Sequence, residues 1–179
     1  IKSIKTRQGF LYTIEFFPEE GKYHFDGHAS CGISLSPEKS KKYNNICPKC
    51  KKPLVIGVLN RVQELAARPY GFMPPNAVPY KSLIPLQEII ADALGVGVAS
   101  KKVTEFYDRL TQSLKNEFNI LLEAEADDIK KYGSSEIAEG VLRVREGKVS
   151  IEPGYDGVYG KIKIFNKSKG DGPKQKTLL

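Results

Sequence analysis

Among its 179 residues the chain has no tryptophan, one methionine, two histidines and three cysteines. Each shortage closes a class of chemistry. Three cysteines are too few and too odd in number for the disulfide framework of a small secreted domain. Two histidines cannot supply both a nucleophile relay and a multinuclear metal centre, and no Ser/His/Asp arrangement can be assembled around them. Long apolar runs are also missing. The stretch from Leu54 to Val58 is among the longest, far short of the ~20 residues that cross a bilayer, and no basic-then-apolar leader opens the sequence. The expectation is a cytoplasmic protein with no membrane partner.

What is present is charge, unevenly placed. The net charge is +7. Between His28 and Arg61 seven Lys or Arg face one acid, Glu38, whereas residues 86–139 hold eleven acids against six bases. From Lys161 onward six lysines face Asp171. A solvated surface mixes its signs more evenly, so a basic segment followed by an acidic one has the pattern of a nucleic-acid footprint.

The apolar periodicity divides the chain. Phe10, Tyr12, Ile14 and Phe16 alternate with other residues, then Pro18 to Gly21 turns the chain before Lys22 to Phe25; this predicts a β-hairpin. Ser36-Pro37 predicts a short helix, Leu54 to Val58 a strand, and Asn60 the cap of a helix reaching Ala67. Five prolines between Arg68 and Pro85 exclude a helix there. Leu86 to Leu94 reads as a helix, and Ser100 caps a longer one whose Val103, Phe106, Tyr107, Leu110, Leu114 and Phe118 form a core-facing stripe. Asp127 to Tyr132 and Ser135 to Arg145 predict two more helices. Val149 to Ile151 and Lys161 to Phe165 predict short strands around the turn Pro153 to Gly157. The fold class expected is α+β: a small zinc-ribbon-like β unit over 1–68, a mainly helical domain with a short C-terminal hairpin over 69–165, and a disordered basic tail over 166–179.

The sharpest chemical signal is His28-Ala29-Ser30-Cys31 with Cys47-Pro48-Lys49-Cys50. Spacings of H-x2-C and C-x2-C let two tight turns present four borderline-soft ligands to one tetrahedral ion, and all three cysteines are used. One structural zinc is expected on His28, Cys31, Cys47 and Cys50. His24 is the alternative fourth ligand. A closed set of four leaves no position for water, so the ion would stabilise and not catalyse. A thioredoxin-type redox pair would open a helix, which Cys47 does not, and the H-x-E general acid/base of nucleobase deaminases is absent because position 30 is Ser. No catalytic residue is assigned.

Between two predicted helices lies Gly95-Val96-Gly97-Val98-Ala99-Ser100-Lys101-Lys102. Its glycines would expose backbone N–H groups toward a phosphate, and it is similar to the turn of helix-hairpin-helix DNA-binding motifs. A plain helix-breaking turn is the competing reading, and the P-loop pattern is absent. The nucleic-acid-binding residues expected are Lys49, Lys51, Lys52 and Arg61 with Gly95, Gly97, Ser100, Lys101 and Lys102. The acids Glu123, Glu125, Asp127 and Asp128 read as a solvated helix start.

Several longer motifs combine: Gly21-Lys22-Tyr23-His24-Phe25-Asp26-Gly27-His28, Gly57-Val58-Leu59-Asn60-Arg61-Val62, Pro74-Pro75-Asn76-Ala77, Pro79-Tyr80-Lys81-Ser82-Leu83-Ile84-Pro85-Leu86 and Ile151-Glu152-Pro153-Gly154-Tyr155-Asp156-Gly157. With the two ligand pairs they resemble, over 9–165, the C-terminal half of the endonuclease Q family. These are PHP-domain nucleases that nick DNA 5′ to deaminated bases and abasic sites. The resemblance implies DNA repair, damaged DNA as partner, and a catalytic PHP domain acting in cis or in trans. That domain's histidine-rich ligand cluster has no counterpart here, so nicking is not carried onto these residues. The alternative function is a zinc-stabilised protein-interaction module without DNA binding. At the end, Gln175-Lys176-Thr177-Leu178-Leu179 resembles the short peptides with which repair enzymes dock on sliding clamps.

Overall fold

The computed structural model describes residues 1–165, which form two compact units: residues 1–83 with 151–162, and residues 84–150 with 163–165. Residues 69–83 and the turn after the helices, expected with the helical domain, lie in the first unit.

The first unit is built from short pieces. They are α1 (Lys2–Thr6), β1 (Thr13–Glu15), β2 (Asp26–His28), β3 (Ile33–Leu35), α2 (Pro37–Lys42), α3 (Val58–Leu65) and β4 (Tyr80–Ser82). α2 starts where Ser36-Pro37 predicts, with Pro37 in its first turn, because the fixed φ of proline suits a position whose N–H has no helical acceptor. β1 does not form the expected hairpin. It pairs in parallel with β4, Thr13 opposite Tyr80, while Phe25 N–H bonds Gly154 O at 2.9 Å. Alternation identifies a strand but not its partner. The predicted strand from Leu54 contracts to one reciprocal bridge, Gly27 with Val55 at 2.9 and 2.8 Å, before Gly57 opens α3. α3 thus begins two residues ahead of Asn60, whose side chain turns inward instead of capping.

The second unit holds α4 (Leu86–Leu94), α5 (Lys101–Ser113), α6 (Glu117–Leu122), α7 (Ala126–Tyr132) and α8 (Ser135–Arg145). α4 packs on α5 and α8, and α7 packs on α5 and α8. Their apolar faces supply Leu86, Ile89, Ile90, Val103, Leu110, Ile120, Ile129, Ile137 and Val141, all fully buried. A Cβ on Gly140 would come within 2.9 Å of Ile89 Cγ2, so glycine there lets α8 approach α4. The long stripe predicted from Val103 ends at Leu114, because Lys115 takes φ +71° and Asn116 caps a new helix. Phe118 is consequently exposed instead of core. Arg145 closes α6: its guanidinium donates to the carbonyls of Ile120, Leu121 and Ala124 at 2.7, 3.0 and 2.8 Å. Two last strands, β5 (Ser150–Glu152) and β6 (Lys161–Lys163), pair with each other. Among the described residues no helix is long and apolar enough to cross a membrane.

Candidate metal centre

The turn between β2 and β3 carries His28 and Cys31 at its two ends. Ala29–Cys31 is a single 3-10 turn, and Gly32 ends it at φ +67°, a left-handed conformation that glycine takes without strain. The second knuckle folds on itself: Cys47 N–H bonds Lys52 O at 2.8 Å and Lys51 N–H bonds Cys47 O at 2.9 Å. These turns bring His28, Cys31, Cys47 and Cys50 together, with one ligand atom of each within 4.8 Å of all the others. His24 is not among them; its ring stacks on Phe25 with centroids 5.4 Å apart.

The donor set fits a tetrahedral soft-metal site. Bonds of ~2.3 Å to sulfur and ~2.0 Å to nitrogen imply an N···S edge of ~3.5 Å, and His28 Nδ1 lies 3.4 Å from Cys50 Sγ. The other ring nitrogen, Nε2, is 3.3 Å from Ser30 Oγ, so Nδ1 is the ring nitrogen that faces Cys50. Cys47 is fully buried and the other three are half-buried. Burial, then the sulfurs of Cys50 and Cys47, push the Cys31 thiol up to about 11. Burial also opposes ionisation of Cys47, but the N–H groups of Cys50 and Lys49, together with the thiols of Cys50 and Cys31, outweigh it and hold that thiol at about 7. Three sulfurs and an imidazole nitrogen this close form a donor set that can hold a metal ion.

Behind the ligands lies a feature that sequence reasoning missed. Asp26 is fully buried, and its carboxyl group accepts from Gly57 N–H at 2.7 Å, from Asn60 Nδ2 at 2.6 Å and from Ser40 Oγ. It therefore ties β2 to α2 and α3 at once, two residues before His28. The only signal was its place beside a ligand. Around it, backbones meet directly: a Cβ on Gly27 would clash with Tyr155, one on Gly57 with Phe25 and His24, and one on Gly154 with the Gly21 carbonyl. The glycine-rich motifs of the sequence are these close approaches.

The lysines assigned to nucleic acid are spread over both units. Lys49, Lys51 and Lys52 are exposed around the second knuckle. Arg61, on α3, is exposed and paired with Glu64 at 2.6 Å. In the second unit Gly95 ends α4 at φ +66° and Ser100 Oγ caps α5, accepting from Val103 N–H at 3.4 Å. The N–H groups of Lys101 and Lys102, at the first positions of α5, have no carbonyl one turn earlier. Lys101 is exposed and 3.9 Å from Glu105. Gly97 meets no neighbour where a Cβ would stand, so packing does not explain it. Glu123, Glu125, Asp127 and Asp128 are all exposed, and the Cys/His group is the only metal-ligand cluster found among the described residues.

Residues 85–148 match the family model of the MJ0043 C-terminal domain. Protein MJ0043 of Methanocaldococcus jannaschii is 37% identical over 145 residues, covering 81% of this chain and 18% of that protein. YqxK of Bacillus subtilis is 29% identical over 147 residues, 82% of this chain and 34% of its own length. The crystal structure of the lesion-specific endonuclease PfuEndoQ from Pyrococcus furiosus superposes with a TM-score of 0.76 at 29% identity, over 90% of this chain and 40% of that one. Endonuclease Q in complex with a 27-mer duplex substrate, with an abasic lesion at the active site, gives a TM-score of 0.69 at 30% identity over 88% and 40%. This chain thus spans less than half the length of each of these proteins. Sequence and fold together match it to a C-terminal portion of endonuclease Q-like proteins.

Proposed function

We propose that this chain is the DNA-holding accessory region of an endonuclease that nicks DNA at deaminated bases or abasic sites, without a catalytic centre of its own. The observation that supports this most is the match of 90% of the chain to a lesion-specific endonuclease. The nicking chemistry would come from a PHP-type domain in cis or in trans. The Cys/His cluster would hold one structural Zn²⁺: three thiolates and an imidazole fill its tetrahedron, so no position remains to activate water. Working in the reducing cytoplasm would keep the thiols available as ligands. Docking on a sliding clamp through Gln175 to Leu179 falls outside the described residues.

DNA would be held electrostatically by Lys49, Lys51, Lys52 and Arg61, and by Lys101 and Lys102 with the backbone of Gly95, Gly97 and Ser100. One observation favours the alternative, a protein-interaction module: Val58, Val62 and Leu65 form an exposed apolar stripe along α3, at 63%, 55% and 65% exposure. Salt separates the two readings. A DNA binder that neutralises several phosphates loses affinity linearly in log salt, with a slope of roughly −0.9 per contact on duplex. Titration of the metal-loaded chain with abasic duplex between low and moderate salt is the experiment. No binding at low salt would remove the DNA-holding role and leave the interaction module.

A further inference from the structure

The metal ligands lie within 28–50, yet the turn that carries two of them is held from the far end of the chain. Ala29 N–H, the first donor of the 3-10 turn between His28 and Cys31, bonds Asp156 Oδ2 at 2.5 Å. This N–H has no acceptor within its own turn, and its direction fixes how His28 and Cys31 diverge from the backbone. Asp156 is itself held. Gly157 N–H bonds Lys22 O at 2.9 Å, Tyr155 N–H bonds Val158 O at 2.9 Å, and Tyr155 packs in the space where Gly27 lacks a side chain. The residue sits at φ +42°, where aspartate and asparagine are tolerated better than most side chains. Two of these contacts flank His28 in the chain: Tyr155 lies against Gly27, and Asp156 holds the N–H of Ala29.

Resting on the reading of the cluster as a metal centre, we infer that Asp156 is a metal-positioning residue: through the Ala29 N–H it sets the geometry of the His28–Cys31 turn. The metal site is then completed by a residue more than a hundred positions beyond its last ligand, and residues 28–50 alone are an incomplete site. Ser30, at 3.3 Å from Nε2, orients the ring; Asp156 orients the backbone that bears it. Outer partners of this kind change metal affinity by tenfold to a hundredfold when removed.

The test uses the full chain and two substitutions. Asp156→Gly removes the acceptor at a backbone angle glycine takes freely, and Asp156→Asn keeps a carbonyl oxygen in its place. Zinc affinity is read by competition with a chromophoric chelator, and ligand geometry by the visible absorption of the cobalt(II)-substituted protein. Asp156→Gly should bind zinc at least tenfold more weakly, with a weakened or shifted cobalt band. Asp156→Asn should stay within about threefold of wild type with the wild-type spectrum. Unchanged affinity and spectrum in Asp156→Gly, equal losses in both variants, or failure of Asp156→Gly to fold at saturating zinc would overturn the positioning role. A wild-type chain that takes up no zinc would instead overturn the metal reading on which the inference rests.

Discussion

Stripping the metal should unfold the first unit and leave the second folded. The reason is the placement of apolar burial. Among the described residues, eighteen buried hydrophobic side chains belong to the second unit, whereas the first has four buried apolar side chains: Pro37, Cys47, Leu54 and Leu83. At ~1.5–3 kcal/mol for each fully buried apolar side chain, those four supply at most about 6–12 kcal/mol. A structural zinc site contributes roughly 10–16 kcal/mol of apparent binding free energy, more than the whole stability of many domains at ~5–15 kcal/mol. If the proposed zinc is bound, the first unit would therefore be held mainly by the ion and by hydrogen bonds around Asp26. Hydrogen exchange, with and without a strong chelator, reads the two units separately. In stripped protein the amides of Gly27, Cys47 and Val55, all backbone-bonded at 2.8–2.9 Å, should exchange at near-unfolded rates. Amides within α4, α5 and α8 should stay protected and the far-ultraviolet helical signal should persist. Continued protection of Gly27 and Val55 in metal-free protein would refute the reasoning.

Asp26→Ala should destabilise the metal-loaded first unit by about 3–5 kcal/mol, since three buried donors lose their acceptor at ~1–3 kcal/mol each with partial relaxation; denaturant unfolding followed by exchange at Gly27 measures it, and a loss under 1 kcal/mol would show that the hub is not needed. Arg145→Ala should cost the helical unit about 1.5–3 kcal/mol by leaving three carbonyls at the end of α6 without their charged donor, read from the thermal midpoint of stripped protein. Lys101→Ala with Lys102→Ala should weaken duplex binding alike for all sequences and flatten the salt slope by roughly two; unchanged binding would take the α4–α5 turn out of the interface. Cys47→Ser with Cys50→Ser should abolish stoichiometric zinc by elemental analysis, and a retained equivalent would sink the ligand assignment.

Local signals were legible in the sequence where a single residue decides the outcome. Ser36-Pro37, Ser100 and the Pro-rich stretch after Arg68 marked their boundaries through capping and missing N–H groups, and Leu86–Leu94 emerged with both ends as read. The ligand spacing was legible for the same reason, since two-residue gaps fix a turn without reference to the rest of the chain. What failed was non-local. Nothing in Thr13–Glu15 says that its partner is β4 and not the residues just after the turn. Nothing in Asn60 distinguishes a capping side chain from one that reaches Asp26, because both are short polar residues near a helix start. The break at Lys115 was hidden because an unbroken apolar stripe outweighs one residue at positive φ. Asp26 and Asp156 were missed as supports because a carboxyl group's role depends on which donors the fold delivers to it.

The composition of the metal knuckle also bears on how its lysines should be weighed. Zn²⁺ with three thiolates and a neutral imidazole carries a net charge of −1, so the loaded centre is itself anionic. In a zinc-loaded chain part of the positive charge on Lys49, Lys51 and Lys52 would accordingly be offset by the site they surround. An anionic partner would feel a surplus nearer +2 than +3 there. The three side chains stand on turns pinned by Cys47 N–H to Lys52 O and Lys51 N–H to Cys47 O. With the ion removed those turns lose their anchor and the lysines their fixed spacing, while the knuckle's charge depends only on how far the thiols ionise. Loss of DNA affinity on chelation would therefore report lost geometry more than lost charge. A metal-free chain should bind duplex weakly through scattered lysines, with a salt slope that no longer responds to Lys49→Ala, whereas the loaded chain should lose about one unit of slope from the same change.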